Sequence, residues 1–306
     1  MRTGEYFSKG KFLISGEYLV LHGAKALSVP LKFGQYMKVR EISQTGKIRW
    51  ETYVLGKPWF TVDFQGNELE INNTSDEKTA VFIRQLLMAG MELKLYRFGE
   101  QKGFLIQNQI NFNLDWGLGS SSSLVSNLAY WFDVDLFTFY RGLFDGSGFD
   151  VFSARADTPV IYQLVGDGPV VEKTRLHSSV TEHLYFVYLG QKQDSQESVR
   201  KFREKKFSDP HAIQAVSDLT LQMINASEPK KFMDLIHLHE SLVSGILGIQ
   251  PVKQAMFSGF QGEIKSLGAW GGDFIMACTL SDRNEVKDYF SAKGMDVVFC
   301  WDEIVY

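Results

Sequence analysis

The sequence is poor in cysteine and proline. Only two cysteines, Cys278 and Cys300, occur among 306 residues, and both lie in apolar, strand-like stretches. This excludes a disulfide framework and predicts buried thiols in a protein kept in a reducing compartment. The chain has seven prolines and no proline-rich or charge-rich linker. We therefore expect a cytoplasmic globular protein.

Excess positive charge and membrane-spanning segments are also missing. The formal net charge is -4 at pH 7, so no broad positive field attracts a nucleic-acid backbone. No uninterrupted apolar run approaches the ~20 residues that cross a bilayer, and charges and glycines interrupt the N-terminal stretch, unlike a signal peptide. We expect a protein that acts on a small molecule, not on nucleic acid or a membrane, as a monomer or a homodimer.

The chain is rich in residues that build a core. Hydrophobic residues make up 44% of it and aromatic residues 14%, enough for one large domain or two ordinary ones. Strand-like stretches dominate the first third and lead to a helical pattern at about Lys78–Met91, whereas the longest helical patterns follow residue 210. This mixture predicts an α+β or α/β fold. The mixture of strand-like and helical patterns changes near residues 165 to 180, so we place the domains at 1–165 and 166–306.

One stretch, "DWGLGSSSSLVSNLAYWF" (residues 115–132), places two glycines and four serines before a helical pattern. Leu128 and Phe132 share one helix face, so we expect a helix that begins near Ser121 with Ser120 as its N-cap. Free N–H groups, the positive end of the helix dipole and adjacent glycines are features of a phosphate site. The same residues also fit an ordinary capped helix start. They match neither a P-loop nor a dinucleotide-binding motif.

Two charged residues are candidates for acting on a phosphate. Lys11, in "SKGKFLISGEYLVLHG", lies between a glycine turn and a strand, where its charge can be held in place; the alternative is a solvated surface lysine. Asp150, in "DGSGFDVFSA", follows a Gly-Ser-Gly turn, where a carboxylate can orient or deprotonate a substrate hydroxyl; the alternative is a helix N-cap. A later glycine cluster, "IKSLGAWGGDFIMAC", can line a ligand cleft or form a tight connection.

Together and in this order, these motifs resemble those of the GHMP kinases, the family of galactokinase, homoserine kinase, mevalonate kinase and phosphomevalonate kinase. "GKFLISGEYLVLHG" resembles the first family motif, "GLGSSSS" the second and "IKSLGAWGGDF" the third, while "GSGFDVFSA" is similar to the segment with the catalytic aspartate. The forms are nearest to the mevalonate kinase and phosphomevalonate kinase branch. The resemblance implies a two-domain α+β fold, with an N-terminal mixed α/β ATP-binding domain, a C-terminal ferredoxin-like domain and the active site between them.

The resemblance also implies roles for individual residues. Asp150 matches the catalytic base, and Lys11 matches the lysine that stabilises the transferring phosphoryl group or the nucleophilic oxygen. The second and third motifs imply contacts with ATP by Gly117, Leu118, Gly119, Ser120, Ser121, Ser122, Gly268, Ala269, Gly271 and Gly272. Ser121 also matches the serine that contacts Mg²⁺. Glu17 and His22 match positions on the substrate side of the cleft.

Two positions depart from the family pattern. Mevalonate kinases carry a magnesium-binding glutamate eleven residues before the catalytic aspartate, and that offset falls on Phe139 here. Trp270 stands in the third motif where a small residue is usual. We expect its ring to narrow the cleft or to stack on the substrate.

The expected protein is an ATP- and Mg²⁺-dependent kinase that phosphorylates a hydroxyl or a phosphate of a small metabolite, with mevalonate and phosphomevalonate foremost. Three alternatives are kept: a non-catalytic nucleotide- or metabolite-binding homologue, a kinase of a sugar or homoserine, and a decarboxylase of the diphosphomevalonate type. The two departures motivate the first alternative. The presence of both Lys11 and Asp150 argues against it.

Overall fold

The structure, a computed structural model, describes residues 3–98, 102–166, 168–190, 200, 202, 204, 207–268, 270 and 273–306. Backbone contacts divide the chain into two compact units. Unit 1 consists of Met1–Gly10, Phe33–Leu114 and Leu118–Arg155. Unit 2 consists of Lys11–Lys32, Asp115–Gly117 and Ala156–Tyr306. The functional domains placed at 1–165 and 166–306 stay a prediction.

Unit 1 contains a mixed β-sheet. Its strands are β1 (Gly4–Ser15), β2 (Ala26–Ile42), β3 (Lys47–Val54), β4 (Lys57–Gln65), β5 (Glu70–Thr74) and β6 (Gly103–Ile110), of which β1 and β2 continue into unit 2. The order is β5-β4-β3-β6-β2, and only the β3–β6 pair among these is parallel. In β4, Phe60, Val62 and Phe64 are buried at every second position, which gives the sheet an apolar face.

The helices in the described part of unit 1 supply the rest of its core. They are α1 (Glu77–Lys94), α2 (Ser120–Phe132), α3 (Leu136–Arg141) and α4 (Phe149–Ser153). The helix predicted at Lys78–Met91 is confirmed, and Asp76 caps it by accepting a hydrogen bond from the Thr79 N–H. One buried cluster combines Trp50 and Phe64 of the sheet with Phe132 of α2. Helix α2 is therefore fixed by packing along its apolar face.

Unit 2 contains a strand pair and a second sheet of ferredoxin-like topology. The pair consists of β7 (Val160–Val165) and β8 (Gly168–Lys173), and β7 also pairs with the start of β2. The second sheet consists of β9 (Leu184–Tyr188), β10 (Glu263–Ser266), β11 (Phe274–Cys278) and β12 (Val298–Cys300), in the antiparallel order β10-β11-β9-β12. The helices are α5 (Ser178–Thr181), α6 (Pro210–Asn225), α7 (Pro229–Leu247), α8 (Val252–Met256), α9 (Arg283–Ser291) and α10 (Trp301–Ile304). Helices separate β9 from β10 and β11 from β12, which gives the split βαβ arrangement of ferredoxin-like folds.

The predicted fold class is thus confirmed. In the described part of the chain, no helix combines the length and apolar character that a membrane crossing needs. Cys278 and Cys300 are free thiols; the first is buried and the second half-buried. Burial raises the pKa of Cys278 to about 12, so this thiol is an inert core residue.

Candidate active site

The glycine–serine motif forms the start of α2. Gly117 and Gly119 have φ angles of 64° and 94°, in the left-handed region that glycine enters without steric cost. The helix begins at Ser120 with Gly119 as its N-cap. The prediction of Ser120 as N-cap is therefore wrong by one residue, because the left-handed turn falls on Gly119. Because the N-cap is a glycine, it has no side chain with which to cap the helix or to compensate its positive dipole end.

The serines of α2 differ in what their hydroxyls do. Ser122 donates to the Gly119 carbonyl at 2.9 Å, and Ser123 donates to Gln35 Oε1 at 3.1 Å. Ser121 is exposed, whereas Ser122 is buried. Exposure is what a serine that contacts phosphate or metal requires. The predicted contacts of Leu118, which is buried, and of the serines with ATP stay predictions.

Unit 2 holds Lys11 against Gly117. Lys11 Nζ donates a hydrogen bond to the Gly117 carbonyl over 3.4 Å, and the residue is half-buried. The side chain is thus held in place, which contradicts the alternative of a freely solvated lysine. A Cβ atom built on Gly117 would lie 2.2 Å from Asp273 Oδ2. The carboxylate of Asp273 therefore packs directly on this glycine.

Replacing Gly117 by alanine is expected to lower the thermal unfolding temperature. The new Cβ meets the Asp273 carboxylate at 2.2 Å and the residue keeps a φ of 64°, a conformation that costs an L-residue about 1–2 kcal/mol. In an Asp273→Gly background only the conformational cost is left, so the loss from Gly117→Ala should be smaller there. Equal losses in the two backgrounds would contradict the contact.

Asp150 lies in the first turn of α4 and is half-buried. The N-cap of this helix is Gly148, with a φ of 82°, so the alternative that Asp150 is the helix cap is wrong. The end of α4 is tied to β1, since the Lys9 N–H donates to the Ala154 carbonyl at 2.9 Å. Asp150 belongs to unit 1 and Lys11 to unit 2. Their joint action on one substrate stays a prediction.

Phe139 is a core residue of α3. Its side chain is fully buried, and its ring lies 6.3 Å from that of Phe132. The position therefore has no metal ligand to offer. Among the described residues, no group of three or more His, Cys, Asp or Glu side chains is placed to hold a metal ion. Mg²⁺ that accompanies a nucleotide is bound through one or two carboxylates together with phosphates and water.

The third glycine cluster is described only in part. Gly268 has a φ of 64°, while the predicted ATP contacts Ala269, Gly271 and Gly272 lie outside the described residues. Trp270 is 6% exposed and belongs to an apolar cluster with Phe202 and Val243. Its buried Nε1 has no hydrogen-bond partner in the described part of the chain. The expectation that this ring narrows the cleft or stacks on the substrate stays a prediction.

The two substrate-side candidates lie in different surroundings. His22 is exposed, and its ring centroid lies 5.8 Å from that of Phe202 and 5.7 Å from that of Phe207. Glu17 is 1% exposed, and its carboxylate is ion-paired with Lys265. Their binding of substrate stays a prediction.

Sequence analysis assigned no functional role to Lys265 or His239, which lie beside Glu17, or to Glu240, which contacts Lys265. One signal was present for Lys265. It is a charged residue in a short strand, "EIKS", that is followed by a glycine cluster. Nothing in the sequence indicates which carboxylate it meets.

Solved structures of other proteins share the fold of this chain. No family model matches the sequence, and no protein of curated function matches it. Phosphomevalonate kinase of Streptococcus pneumoniae, solved with phosphomevalonate and AMPPNP, is similar with a TM-score of 0.71 and 15% identity over 97% of this chain and 99% of that one. Mevalonate kinase of Methanococcus jannaschii is similar with a TM-score of 0.69 and 13% identity over 97% of both chains.

A sugar kinase has a similar structure as well. Lactococcus lactis galactokinase, solved with galactose, is similar with a TM-score of 0.68 and 14% identity over 96% of this chain and 92% of that one. Identities this low are evidence for a shared fold and not for a shared substrate. The resemblance inferred from the motifs is confirmed at that level: the chain has the two-domain fold of the GHMP kinases.

Proposed function

We propose that this protein is a kinase that transfers the γ-phosphoryl group of ATP to a hydroxyl or a phosphate of a small metabolite. The observation that carries the proposal is the contact of Lys11 Nζ with the Gly117 carbonyl. It brings a positive charge to the glycine–serine motif, three residues ahead of the start of α2, whose N-cap is a glycine. Cationic groups and helix N-terminal N–H groups are what a nucleotide triphosphate needs.

The proposed reaction gives each group a separate task. The first turn of α2 binds the ATP phosphates through backbone N–H groups, and Lys11 stabilises negative charge on the transferring phosphoryl group. Asp150 orients the acceptor oxygen and takes its proton where the acceptor is a hydroxyl. Mg²⁺, bound with the nucleotide, would neutralise phosphate charge, and the exposed Ser121 hydroxyl would contact it.

The proposed acceptor is mevalonate or phosphomevalonate. Two facts support this choice: the first motif and the segment around Asp150 have the form found in that branch, and the similar S. pneumoniae structure contains phosphomevalonate. The buried Phe139 supports a second candidate, a non-catalytic binding protein, because it offers no carboxylate for a metal. The fixed Lys11 favours the kinase.

The test is a turnover assay with the full chain, ATP and Mg²⁺. Mevalonate, phosphomevalonate, diphosphomevalonate, homoserine and galactose are supplied separately, and ADP and CO₂ are measured against a reaction without acceptor. We expect one of the first two acceptors to give stoichiometric ADP without CO₂. ADP together with CO₂ would indicate the decarboxylase. Binding of AMPPNP without turnover of any acceptor would favour the non-catalytic protein, and absence of nucleotide binding would contradict both candidates.

Replacing Lys11 by methionine is expected to lower turnover at saturating ATP by about 10²-fold, the usual effect of removing one stabilising donor from a transition state. The matched control is Lys38→Met, which removes an exposed lysine paired with Glu5 in unit 1 and should leave turnover near wild type. A Lys11→Met variant that has a higher KM for ATP but unchanged kcat would make this lysine a ground-state phosphate ligand.

A further inference from the structure

A buried charge cluster lies in unit 2. It consists of Glu17, His239, Glu240 and Lys265, which are 1%, 0%, 3% and 0% exposed. Glu17 belongs to the turn after β1, His239 and Glu240 to α7, and Lys265 to β10. Charged side chains are rarely so buried unless they are paired. The cluster therefore joins three segments that are far apart in the sequence.

The hydrogen bonds of the cluster connect the first and third motifs. Lys265 Nζ donates to Glu17 Oε1, lies 3.4 Å from Glu240 Oε1 and donates to the Ser266 carbonyl at 3.1 Å. The Ser266 hydroxyl donates to Glu240 Oε2 at 3.3 Å. Lys265 and Ser266 lie at the start of the third motif, just ahead of its first glycine, Gly268. The lysine thus links this end of β10 to both α7 and the turn after β1.

The turn after β1 is held by a second contact. His239 Nε2 accepts a hydrogen bond from the Gly16 N–H at 3.2 Å. A ring nitrogen that accepts must be unprotonated, and burial lowers the pKa of His239 well below its usual value, which agrees with a neutral ring. Gly16 and Tyr18 have φ angles of 91° and 62°. This turn is therefore in a conformation that needs support from its surroundings.

The cluster has one ammonium for two carboxylates. Burial raises the pKa of Glu17, and burial together with the charge of Glu17 raises the pKa of Glu240 to about 7. Within the described residues, His237, Lys253 and Glu263 are titratable groups that line a cavity of about 260 Å³ beside Glu240. When Glu240 is protonated, Lys265 pairs with Glu17 alone. When Glu240 is ionised, the two carboxylates compete for the same ammonium.

We propose that Glu17, Glu240 and Lys265 are positioning residues, which hold the turn after β1 and the start of the third glycine cluster in one arrangement and do not contact substrate. The proposal rests on the proposed kinase function and gives Glu17 a different role from the substrate contact that the motif resemblance implies. Near-complete burial of the carboxylate supports it. The arrangement is expected to be held most firmly when Glu240 is protonated.

The first experiment separates positioning from substrate contact. In Glu17→Gln we expect the KM values for ATP and for the acceptor to rise together, by about tenfold each, and AMPPNP affinity without acceptor to fall by a similar factor, because two motifs shift. A rise in the acceptor KM alone, with unchanged AMPPNP affinity, would overturn the proposal. His22→Ala, on an exposed residue of the 3₁₀-helix Leu19–His22 that follows this turn, is the comparison for a direct effect on the acceptor.

The second experiment uses pH and the conservative variant Glu240→Gln. Hydrogen exchange of the Gly16 amide is followed in wild type, Glu240→Gln and the control Glu263→Gln between pH 6 and 8, after correction for intrinsic exchange. We expect protection to fall with rising pH in wild type and in Glu263→Gln, and to change little in Glu240→Gln. The same profile in all three proteins would overturn the proposal. This readout needs no turnover, so failure of the kinase assay leaves it interpretable.

Discussion

Replacing Asp150 with asparagine is expected to lower turnover by about 10² to 10⁴ while nucleotide affinity stays near wild type. Asparagine keeps the shape of the side chain but can neither accept the acceptor proton nor carry the negative charge that orients it. Asp150 lies in the first turn of α4 and is accessible in part, as a group that meets a substrate must be. The measurement is kcat at saturating ATP and acceptor, together with AMPPNP affinity by calorimetry.

The chain offers a matched control in the loop that precedes α4. Asp145 lies five residues upstream and is exposed, so Asp145→Asn removes the same charge at a position outside α4. We expect its turnover to stay near wild type. Loss of turnover in both variants would indicate that negative charge in this region matters, and not the position of Asp150. Near-wild-type turnover in Asp150→Asn would remove this residue from the proposed mechanism.

Much of the fold follows from local patterns in the sequence. The periodic apolar residues at Lys78–Met91 predicted α1, and the mixture of strands and helices after residue 180 agrees with the ferredoxin-like order of β9 to β12. Such patterns depend on neighbours within one or two turns, so a single chain displays them fully. The start of α2 was placed one residue late because a left-handed glycine and a capping serine are both good helix starts.

The partners of buried residues could not be predicted in the same way. A sequence pattern indicates that a position is buried, but not what it meets across the fold. Glu17 and Lys265 are separated by 248 positions, and their pairing depends on β10 and the turn after β1 arriving at the same place. Trp270 likewise packs in an apolar cluster with Phe202 and Val243, which the sequence did not indicate; its contact with a ligand stays a prediction. That cluster is built from three distant segments.

Replacing Lys265 with methionine is expected to lower the free energy of unfolding by about 3–5 kcal/mol, the usual cost of leaving a buried charge without its partner. Methionine fills much of the lysine volume, so the loss of unfolding free energy reflects the cost of leaving the carboxylates of Glu17 and Glu240 without their partner. The matched control is Lys253→Met. Lys253 pairs at 2.8 Å with Glu263, which lies on the same strand as Lys265, but this pair is partly exposed. An ion pair in such a place is worth about 0–1 kcal/mol. Chemical denaturation of both variants gives the comparison.

The loss of stability in Lys265→Met is expected to depend on pH. A carboxyl whose folded pKa is raised above its unfolded value binds its proton more tightly in the folded state, so stability falls as pH rises between the two values. For Glu240 that window runs from 4.5 to about 7. Without Lys265 both carboxyls should titrate higher still, and the loss of stability should be larger at pH 8 than at pH 5.5. Adding Glu17→Gln to Lys265→Met should restore part of the loss at pH 8. The prediction would be contradicted if Lys265→Met lost no more stability than Lys253→Met, or lost the same amount at both pH values. Either result would mean that Lys265 does not compensate the buried carboxylates of Glu17 and Glu240.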